Sequence, residues 1–168
     1  MIMNLNDMDL DKKTIELLVY ITKSKPSVTI TSLMKLSYFC DLVSVRRRKK
    51  QVSKFTYKRY KHGPFDSMIY FYLEDLISNG VLIEEPSYTP YGIEYNEIKF
   101  NKDNDFSFSE LNKQDKKIID DVLKEFEGYT AKTLTDVAYE TSTMKALGAT
   151  RDGNENLNEK LDLNVEIE

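Results

Sequence analysis

The chain has 168 residues, of which 40% are hydrophobic and 31% charged, and its net charge is -4. This length suits one domain, and a single cysteine, Cys40, with a single histidine, His62, excludes a disulfide framework and a Cys/His zinc cluster. No apolar run approaches the roughly 20 residues of a membrane span, and residues 1–13 lack the pattern of a secretory leader, so we expect a cytoplasmic protein without a membrane partner.

Two helices are predicted first in the chain. Asp9 or Asp11 can cap the first, which stops before Pro26. Its helix-spaced apolar residues are Ile15, Leu18 and Val19. Thr29 or Thr31 can cap the second. Its apolar residues are Leu33, Leu36, Cys40 and Val43. The second helix runs into an arginine cluster whose charges also complement the helix dipole.

A segment rich in positive charge follows the second helix. No acidic residue lies between Asp41 and Asp66, and the nine basic residues there are Arg46, Arg47, Arg48, Lys49, Lys50, Lys54, Lys58, Arg59 and Lys61. Residues Val52–Tyr60 are β-branched, aromatic and basic, which predicts a strand. Two interpretations stay open for the charge. It forms a solvated surface, or it contacts an anionic partner such as nucleic acid, an acidic protein or the acidic end of this chain.

A sharp corner follows at His62-Gly63-Pro64. Proline suits the first position of a helix and Asp66 would then lie in its first turn, so we predict a helix beginning at Pro64. Its buried stripe consists of Ile69, Tyr72, Leu73 and Leu76. Asn79-Gly80 provides the left-handed stop.

The remainder of the chain predicts a hairpin and two further helices. Strands at Val81–Ile83 and Ile93–Phe100 flank a turn at Tyr88–Gly92. A helix capped by Ser109 or Asn112 ends at Gly128. One more helix covers Thr130–Leu147. The predicted fold class is α+β, mainly α, with a small antiparallel sheet or hairpin and a partly winged-helix-like arrangement. We expect one domain over residues 1–150 and a flexible, acidic tail over residues 151–168.

No catalytic or metal site is predicted. Cys40 falls on the apolar face of the second helix, where a small buried hydrophobe is the commoner role. His62 at the corner suits a contact or structural role better than that of a base. Asn101–Asp105 resembles the start of a calcium loop, but the glycine and the bidentate glutamate that such a loop needs are missing. We therefore expect a binding protein that is not an enzyme and needs no cofactor.

Four short motifs in order resemble a known family. They are Lys35-Leu36 with Tyr38-Phe39 and Asp41, then Tyr60 to Phe65, then Leu76 to Ile83 with Gly80, and finally Tyr88 to Gly92. Together they resemble the SocA-like antitoxin domain called Panacea, over roughly residues 29–147. The resemblance implies a mainly helical domain, often phage-associated, that neutralises a protein toxin encoded nearby. Neutralisation is by direct contact, and in some members it is as an adaptor that hands the toxin to a protease.

The resemblance also implies a set of site residues. Its matching positions form a polar and aromatic cluster around the corner, although Lys35 and Asp41 could instead brace the fold. Together with the basic segment, the predicted partner-binding residues are Lys35, Tyr38, Asp41, Arg46, Arg47, Arg48, Lys58, Arg59, Lys61 and His62. The predicted structural residues of the corner are Gly63, Pro64 and Gly80. One departure is that Tyr139 and Met144 stand near the places where the family often has His and Trp.

A second function remains open from the residues alone. Two helices, a helix that leads into a hairpin, and a basic segment are also the ingredients of a winged-helix regulator that binds DNA. The hairpin argues against this because Val81–Phe100 carries four Glu and one Lys. Contacts with DNA or with a protease, and a homodimer, are possible further partners.

Overall fold

A computed structural model describes residues 9–165. Residues 1–8, on which the expectation about a leader partly rests, and Glu166 and Glu168 of the acidic tail lie outside this range. Within it, six helices and two separate two-stranded antiparallel sheets form the domain, which confirms the predicted α+β, mainly α class. The helices are α1 (Lys12–Lys23), α2 (Ile30–Arg48), α3 (Met68–Ser78), α4 (Lys113–Glu125), α5 (Ala131–Tyr139) and α6 (Ser142–Ala146). The strands are β1 (Lys58–Tyr60), β2 (Gly63–Phe65), β3 (Leu82–Tyr88) and β4 (Glu94–Phe100).

Helix α2 runs through the middle of the domain. It packs against α1, α4, α5 and β2, and it buries polar as well as apolar side chains. The caps are among those predicted, because Asp11 accepts a hydrogen bond from the amide of Thr14 and Thr29 accepts one from Ser32. Lys49 ends α2 in a left-handed conformation with φ of 64°. Because α2 is enclosed on most sides, its polar residues must find partners inside the protein.

The predicted strand at Val52–Tyr60 is wrong for most of its length. Only Lys58–Tyr60 forms β1, and the residues before it follow an irregular path. The cause is Asp41 on α2, whose Oδ1 accepts hydrogen bonds from the amides of Val52 and Ser53 over 2.8 and 2.9 Å. Those amides therefore bond to a side chain instead of a neighbouring strand.

The predicted start of a helix at Pro64 is also wrong. Gly63–Phe65 forms β2, which pairs with β1 across a two-residue turn, so that Tyr60 lies opposite Gly63. Helix α3 begins later, at Met68, whose amide donates to Oδ1 of Asp66 over 2.9 Å. Pro64 is tolerated in this two-stranded sheet because a strand at an edge does not need every amide proton.

The second hairpin forms where the sequence predicts it, but its first strand is longer than the predicted Val81–Ile83. β3 begins two residues after Gly80 and pairs with β4 from Leu82 opposite Phe100 to Tyr88 opposite Glu94. Val28 and Ile98 exchange two backbone hydrogen bonds of 2.9 and 2.7 Å, which tie β4 to the segment before α2. The base of the hairpin is thereby held on the body of the domain.

Asn112 caps α4 in a reciprocal capping box with Asp115.

The last predicted helix is divided in two. The single helix predicted for Thr130–Leu147 is wrong, since α5 ends at Tyr139 and α6 begins at Ser142. The hydroxyl of Thr141, between them, donates to the carbonyl of Ala138 over 2.6 Å, which replaces a helical hydrogen bond.

The acidic tail is packed on the domain as far as residue 165, contrary to the separate, flexible segment predicted from residue 151 onward. The amide of Leu161 donates to the carbonyl of Tyr57 over 2.9 Å, and the amide of Arg59 donates to the backbone carbonyl of Glu159 over 2.8 Å. Leu161 and Leu163 are 3% and 6% exposed. Two buried leucines and the paired edge of β1 outweigh the acidic composition of the segment.

Candidate partner-binding site

Asp41 is buried beneath the corner and holds the chain that leads to it. Its carboxylate accepts four hydrogen bonds, from the amides of Val52 and Ser53, the hydroxyl of Ser53 at 2.5 Å and the hydroxyl of Tyr57 at 2.6 Å. Burial raises the pKa of Asp41 above its ordinary value, and the bonds from Ser53 and Tyr57 oppose that rise. Asp41 therefore braces the inside of the domain.

Lys35 lies about one and a half turns before Asp41 on α2, and its side chain contacts the inner side of the corner. Its ammonium donates to the carbonyl of Pro64 over 3.0 Å, and the residue is 1% exposed. Burial lowers the pKa of Lys35 to about 8, with a smaller contribution from the charge of Arg151. The Cε of Lys35 would lie 3.0 Å from a Cβ added at Gly63, so the close approach of Lys35 to the corner depends on glycine.

Tyr38 links α2 to the junction of α5 and α6. Its hydroxyl hydrogen-bonds to the hydroxyl of Thr141 over 2.7 Å and to that of Thr143. Tyr38 is fully buried, and burial raises its pKa. The tyrosine therefore holds the last helices against the centre of the domain.

Arg59 points inward from β1 and binds backbone carbonyls. Its guanidinium donates to Tyr60 over 2.7 Å, to Thr150 over 3.1 Å and to Gly153 over 2.9 Å. It also lies over the ring of Tyr139, 5.4 Å from the centroid. Arg59 thus connects the corner to the beginning of the tail.

The predicted contact role is therefore wrong for four residues, because buried side chains cannot touch a partner in this conformation. They are Lys35, Tyr38, Asp41 and Arg59. Bracing the fold was the alternative open for Lys35 and Asp41, and both have internal partners. For Arg59 a signal existed in the sequence, since alternation from Phe55 and Tyr57 places it on the buried face.

Two residues of the arginine cluster form ion pairs with α4, a helix that lies far away in the sequence. Arg47 forms an ion pair of 2.8 Å with Asp121, and Arg48 pairs with the buried Asp115. Arg46 donates to Ser142 over 3.1 Å. Carboxylates of α4 therefore pair with two of the nine basic residues of the acid-free stretch, and the other seven form no ion pair among the described residues.

Three predicted contact residues lie on the outer face of the first hairpin: Lys58, Lys61 and His62 are exposed. Among the described residues none of them forms an ion pair. Their contact with a partner stays a prediction. Of the corner residues, Gly63 and Pro64 are buried, and Gly80 ends α3 with φ of +73°.

Tyr139 is a further member of the corner whose role was not predicted. Its hydroxyl donates to the carbonyl of Lys61 over 2.7 Å, and the centroid of its ring lies 5.4 Å from the guanidinium carbon of Arg59 and 5.7 Å from that of Arg151. Met144, the other departure from the family pattern, is completely buried. Both residues have structural positions that only their neighbours in space reveal.

A family model described as "Antitoxin SocA-like, Panacea domain" matches residues 33–143, about two thirds of the chain. The chain belongs to the SocA-like antitoxin family. No curated protein and no solved structure matches it.

The Panacea match contains the interior braces but not the elements at either end. It begins within α2 and ends within α6, and it includes Lys35, Tyr38, Asp41 and Arg59. Helix α1 and the packed tail lie outside it, and both contribute buried leucines to the same core. The motif residues thus build the scaffold of this Panacea domain.

Two general features complete the description of residues 9–165. None of the helices there is long and apolar enough to cross a bilayer. In the same range, no three His, Cys, Asp or Glu side chains are grouped so that they could hold a metal ion. Cys40 is completely buried, and burial raises the pKa of its thiol well above the ordinary value, with the charge of Asp41 adding to the rise.

Proposed function

We propose that this protein is an antitoxin that neutralises a cognate protein toxin by binding it directly. The observation that carries the proposal is the family match over residues 33–143. The positions of the matched residues in the structure also support the proposal. Lys35, Tyr38 and Asp41 are occupied inside the domain, which leaves the outer surface to recognise the partner.

The internal braces favour direct binding because they make the surface rigid. Asp41 ties α2 to the chain before β1, Lys35 ties it to β2, and Tyr38 ties it to the last helices. A surface that is already ordered loses little conformational entropy when a partner binds. This arrangement suits a stable protein complex.

The alternative of a DNA-binding regulator is less well supported. Neutralising phosphates requires free cations, and two of the basic residues, Arg47 and Arg48, are already paired with carboxylates of α4. The β3–β4 hairpin, which would be the wing, has four Glu and one Lys between Val81 and Phe100. Binding to random duplex DNA at low salt that weakens steeply as salt rises would favour the regulator.

Co-expression tests the antitoxin function. The protein encoded by the neighbouring reading frame is expressed from an inducible promoter with and without this chain. We expect growth arrest that this chain relieves, and a complex of the two proteins that survives affinity purification and gel filtration. A neighbour that is harmless, or a toxic neighbour that is neither relieved nor bound, contradicts the proposal.

Direct neutralisation and delivery to a protease differ in what happens to the toxin. With direct binding, the amount of toxin in the cell stays constant while growth recovers. With an adaptor, the toxin level falls when this chain is present and recovers when cellular proteases are removed. A blot against tagged toxin after translation is blocked separates the two mechanisms.

A further inference from the structure

Exposed apolar side chains are concentrated at one end of the β3–β4 hairpin. Of the eight large hydrophobic residues that are exposed in the described chain, three lie at the hairpin end and a fourth follows α4. These four residues are Tyr88, Tyr91, Ile93 and Tyr129, and their exposed fractions are 62%, 92%, 65% and 43%. We call these four residues the aromatic tip. Apolar side chains gathered in this way mark an interaction surface more often than scattered ones do.

The hairpin end is an ordered turn. The amide of Thr89 donates to the carbonyl of Ile93 over 2.8 Å, and the amide of Ile93 donates back to the hydroxyl of Thr89 over 3.1 Å. Gly92 closes the turn with φ of +80°, a conformation that glycine adopts without strain. Tyr91 is therefore presented outward on a defined backbone.

Tyr129 approaches the same region from the other side. It packs edge-on against Phe126 with centroids 5.2 Å apart, and Phe126 stacks on the buried Phe39 at 4.4 Å. Tyr88 and Tyr129 line one groove of about 550 Å³ between the hairpin and the connection from α4 to α5. Protein interfaces often combine a protruding tyrosine, which inserts into the partner, with an apolar groove that receives a side chain of the partner.

The charges of the β3–β4 hairpin indicate the chemistry of the partner. Glu94 beside the tip and Glu84 near the base of the hairpin form no ion pair within the described chain, whereas Glu85 is paired with Lys99 over 2.8 Å. Glu94 lies directly opposite Tyr88 in the ladder. Lys25 and Lys132 line the far side of the groove, so the acidic character belongs to the hairpin itself. A complementary partner therefore presents positive charge around an apolar pocket.

A second copy of this chain is a poor fit for this surface. In a two-fold dimer the same patch meets itself, which would place the acidic hairpins of the two copies side by side. Like charges that face each other cost free energy. A different protein with a basic surface avoids that cost.

We propose that the aromatic tip is the docking surface for the toxin, and that the toxin offers an apolar pocket for Tyr91 surrounded by basic residues. This inference rests on the proposed antitoxin function. It assigns the contact to the acidic hairpin instead of the basic hairpin that carries Lys58 and Lys61.

The test compares matched surface variants of the full chain. Tyr91→Ala with Ile93→Ser removes the two most exposed side chains of the tip, and Tyr70→Ala removes an aromatic residue that is 53% exposed on α3. Lys58→Glu with Lys61→Glu reverses the charge of the other hairpin. Binding to the protein encoded by the neighbouring reading frame is measured by calorimetry, and urea unfolding checks that each variant is folded. We expect the tip variant to bind at least about 30-fold more weakly, and the Tyr70→Ala control to stay within about threefold of wild type. The Lys58 and Lys61 variant decides between the two hairpins, and a greater loss of binding in it than in the tip variant would overturn the inference.

A charge variant tests the chemistry of the partner separately. Glu84→Lys with Glu94→Lys should slow association by about tenfold at low salt, and the difference from wild type should shrink as salt rises. Equal rates for this variant and wild type would contradict a basic partner surface.

The other outcomes of these experiments distinguish failure of the inference from failure of the antitoxin function. A tip variant that binds within threefold of wild type overturns the inference while leaving the antitoxin function intact, most clearly if the Lys58 and Lys61 variant loses binding. A wild-type dimer in light scattering that the tip variant dissociates also overturns it, in favour of a second copy. Failure of the wild-type protein itself to bind or to relieve toxicity overturns the antitoxin function, and the inference with it.

Discussion

The hydroxyl of Tyr57 donates a hydrogen bond of 2.6 Å to the carboxylate of Asp41, and both residues are buried. The same carboxylate holds the amides of Val52 and Ser53, so one side chain of α2 organises the chain that enters the corner. Burial raises the pKa values of both groups, and for Tyr57 the charge of Asp41 adds to the rise. Burying these two polar groups costs free energy, and their hydrogen bond offsets that cost only while both partners are present.

Tyr57→Phe should lower the free energy of unfolding by about 1.5–3 kcal/mol at pH 7, because a buried carboxylate loses a donor. The loss should shrink at acid pH. The folded pKa of Asp41 lies above its ordinary 3.8, so the stability associated with its protonated form is complete below 3.8 and is lost as pH rises through the folded value. Urea unfolding at several pH values measures the effect, and a loss that grows towards acid pH would contradict this account.

Lys35→Met should change the pH dependence of stability. The pKa of Lys35 is lowered to about 8 by burial and the charge of Arg151, whereas the unfolded chain keeps a value near 10.5. Between these values the unfolded state binds more protons, so the unfolding free energy of wild type should rise with pH relative to the variant. The difference should change by up to about 1.4 kcal/mol per pH unit and about 3 kcal/mol in total.

Urea unfolding of both proteins between pH 7 and 10.5 checks the prediction for Lys35. Taking the difference between wild type and variant removes the contribution of the tyrosines that they share. A difference that is independent of pH would show that the ammonium of Lys35 is not destabilised by its site.

Arg48 and Arg47 form a matched pair for the arginine cluster. Arg48→Gln should cost about 2 kcal/mol because it weakens the neutralisation of Asp115, which is buried and keeps Lys13 at 3.1 Å. Arg47→Gln should cost about 0.5 kcal/mol, since its ion pair with Asp121 is exposed. Chemical unfolding at pH 7 measures both, and equal costs would contradict the distinction.

The cost of Arg48→Gln should also depend on pH. Burial would raise the pKa of Asp115, but the backbone of Asn112 together with Arg48 and Lys13 outweighs it and lowers the pKa. The stability that ionised Asp115 contributes is therefore present above its ordinary 3.8 and lost as pH falls through the lower folded value. The difference between wild type and variant should accordingly narrow below pH 4.

Gly63 and Gly80 separate backbone conformation from close packing. Both have positive φ, of +100° and +73°, but a Cβ at Gly63 would lie 3.0 Å from Lys35 while one at Gly80 would meet nothing within 4 Å. Gly80→Ala should cost about 1 kcal/mol from conformation alone. Gly63→Ala should cost about 2–3 kcal/mol, because a buried lysine must also move. Thermal unfolding measures both, and the account of the corner fails if Gly80 is the more sensitive position.

Leu161 and Leu157 test the packed tail. Leu161→Ala should lower the unfolding free energy by about 2–3 kcal/mol because the side chain is 3% exposed. Leu157→Ala should change it by less than about 0.5 kcal/mol because the side chain is 39% exposed. If both substitutions are neutral in urea unfolding, the tail does not contribute to the core.

Features that depend on a few neighbouring residues could be predicted from the sequence. The caps at Asp11, Thr29 and Asn112 were each among the candidates, because a capping side chain bonds an amide only three residues away. The stop at Gly80 and the β3–β4 hairpin followed from turn chemistry. The start of α3 was misplaced because Pro64 suits a helix start in isolation, whereas here Lys35 binds its carbonyl within β2.

The site was less predictable because its residues meet across long separations. Tyr139 reaches the corner from 78 residues away, and no local pattern announces such a contact. The aromatic tip was missed as a surface because Tyr88 and Tyr91 read as turn residues. Only the tertiary structure places Tyr129 in the same groove as Tyr88.

By itself, the sequence determined the mainly helical class, the caps of α1, α2 and α4, the second hairpin and the resemblance to the antitoxin family. The tertiary structure alone decided which charges are free. Arg48 and Asp115 are 67 residues apart and neutralise each other, while Lys61 remains exposed two residues from the buried Arg59. The physical reason is that burial and ion pairing depend on distance in space, and folding brings together side chains that no sequence window contains.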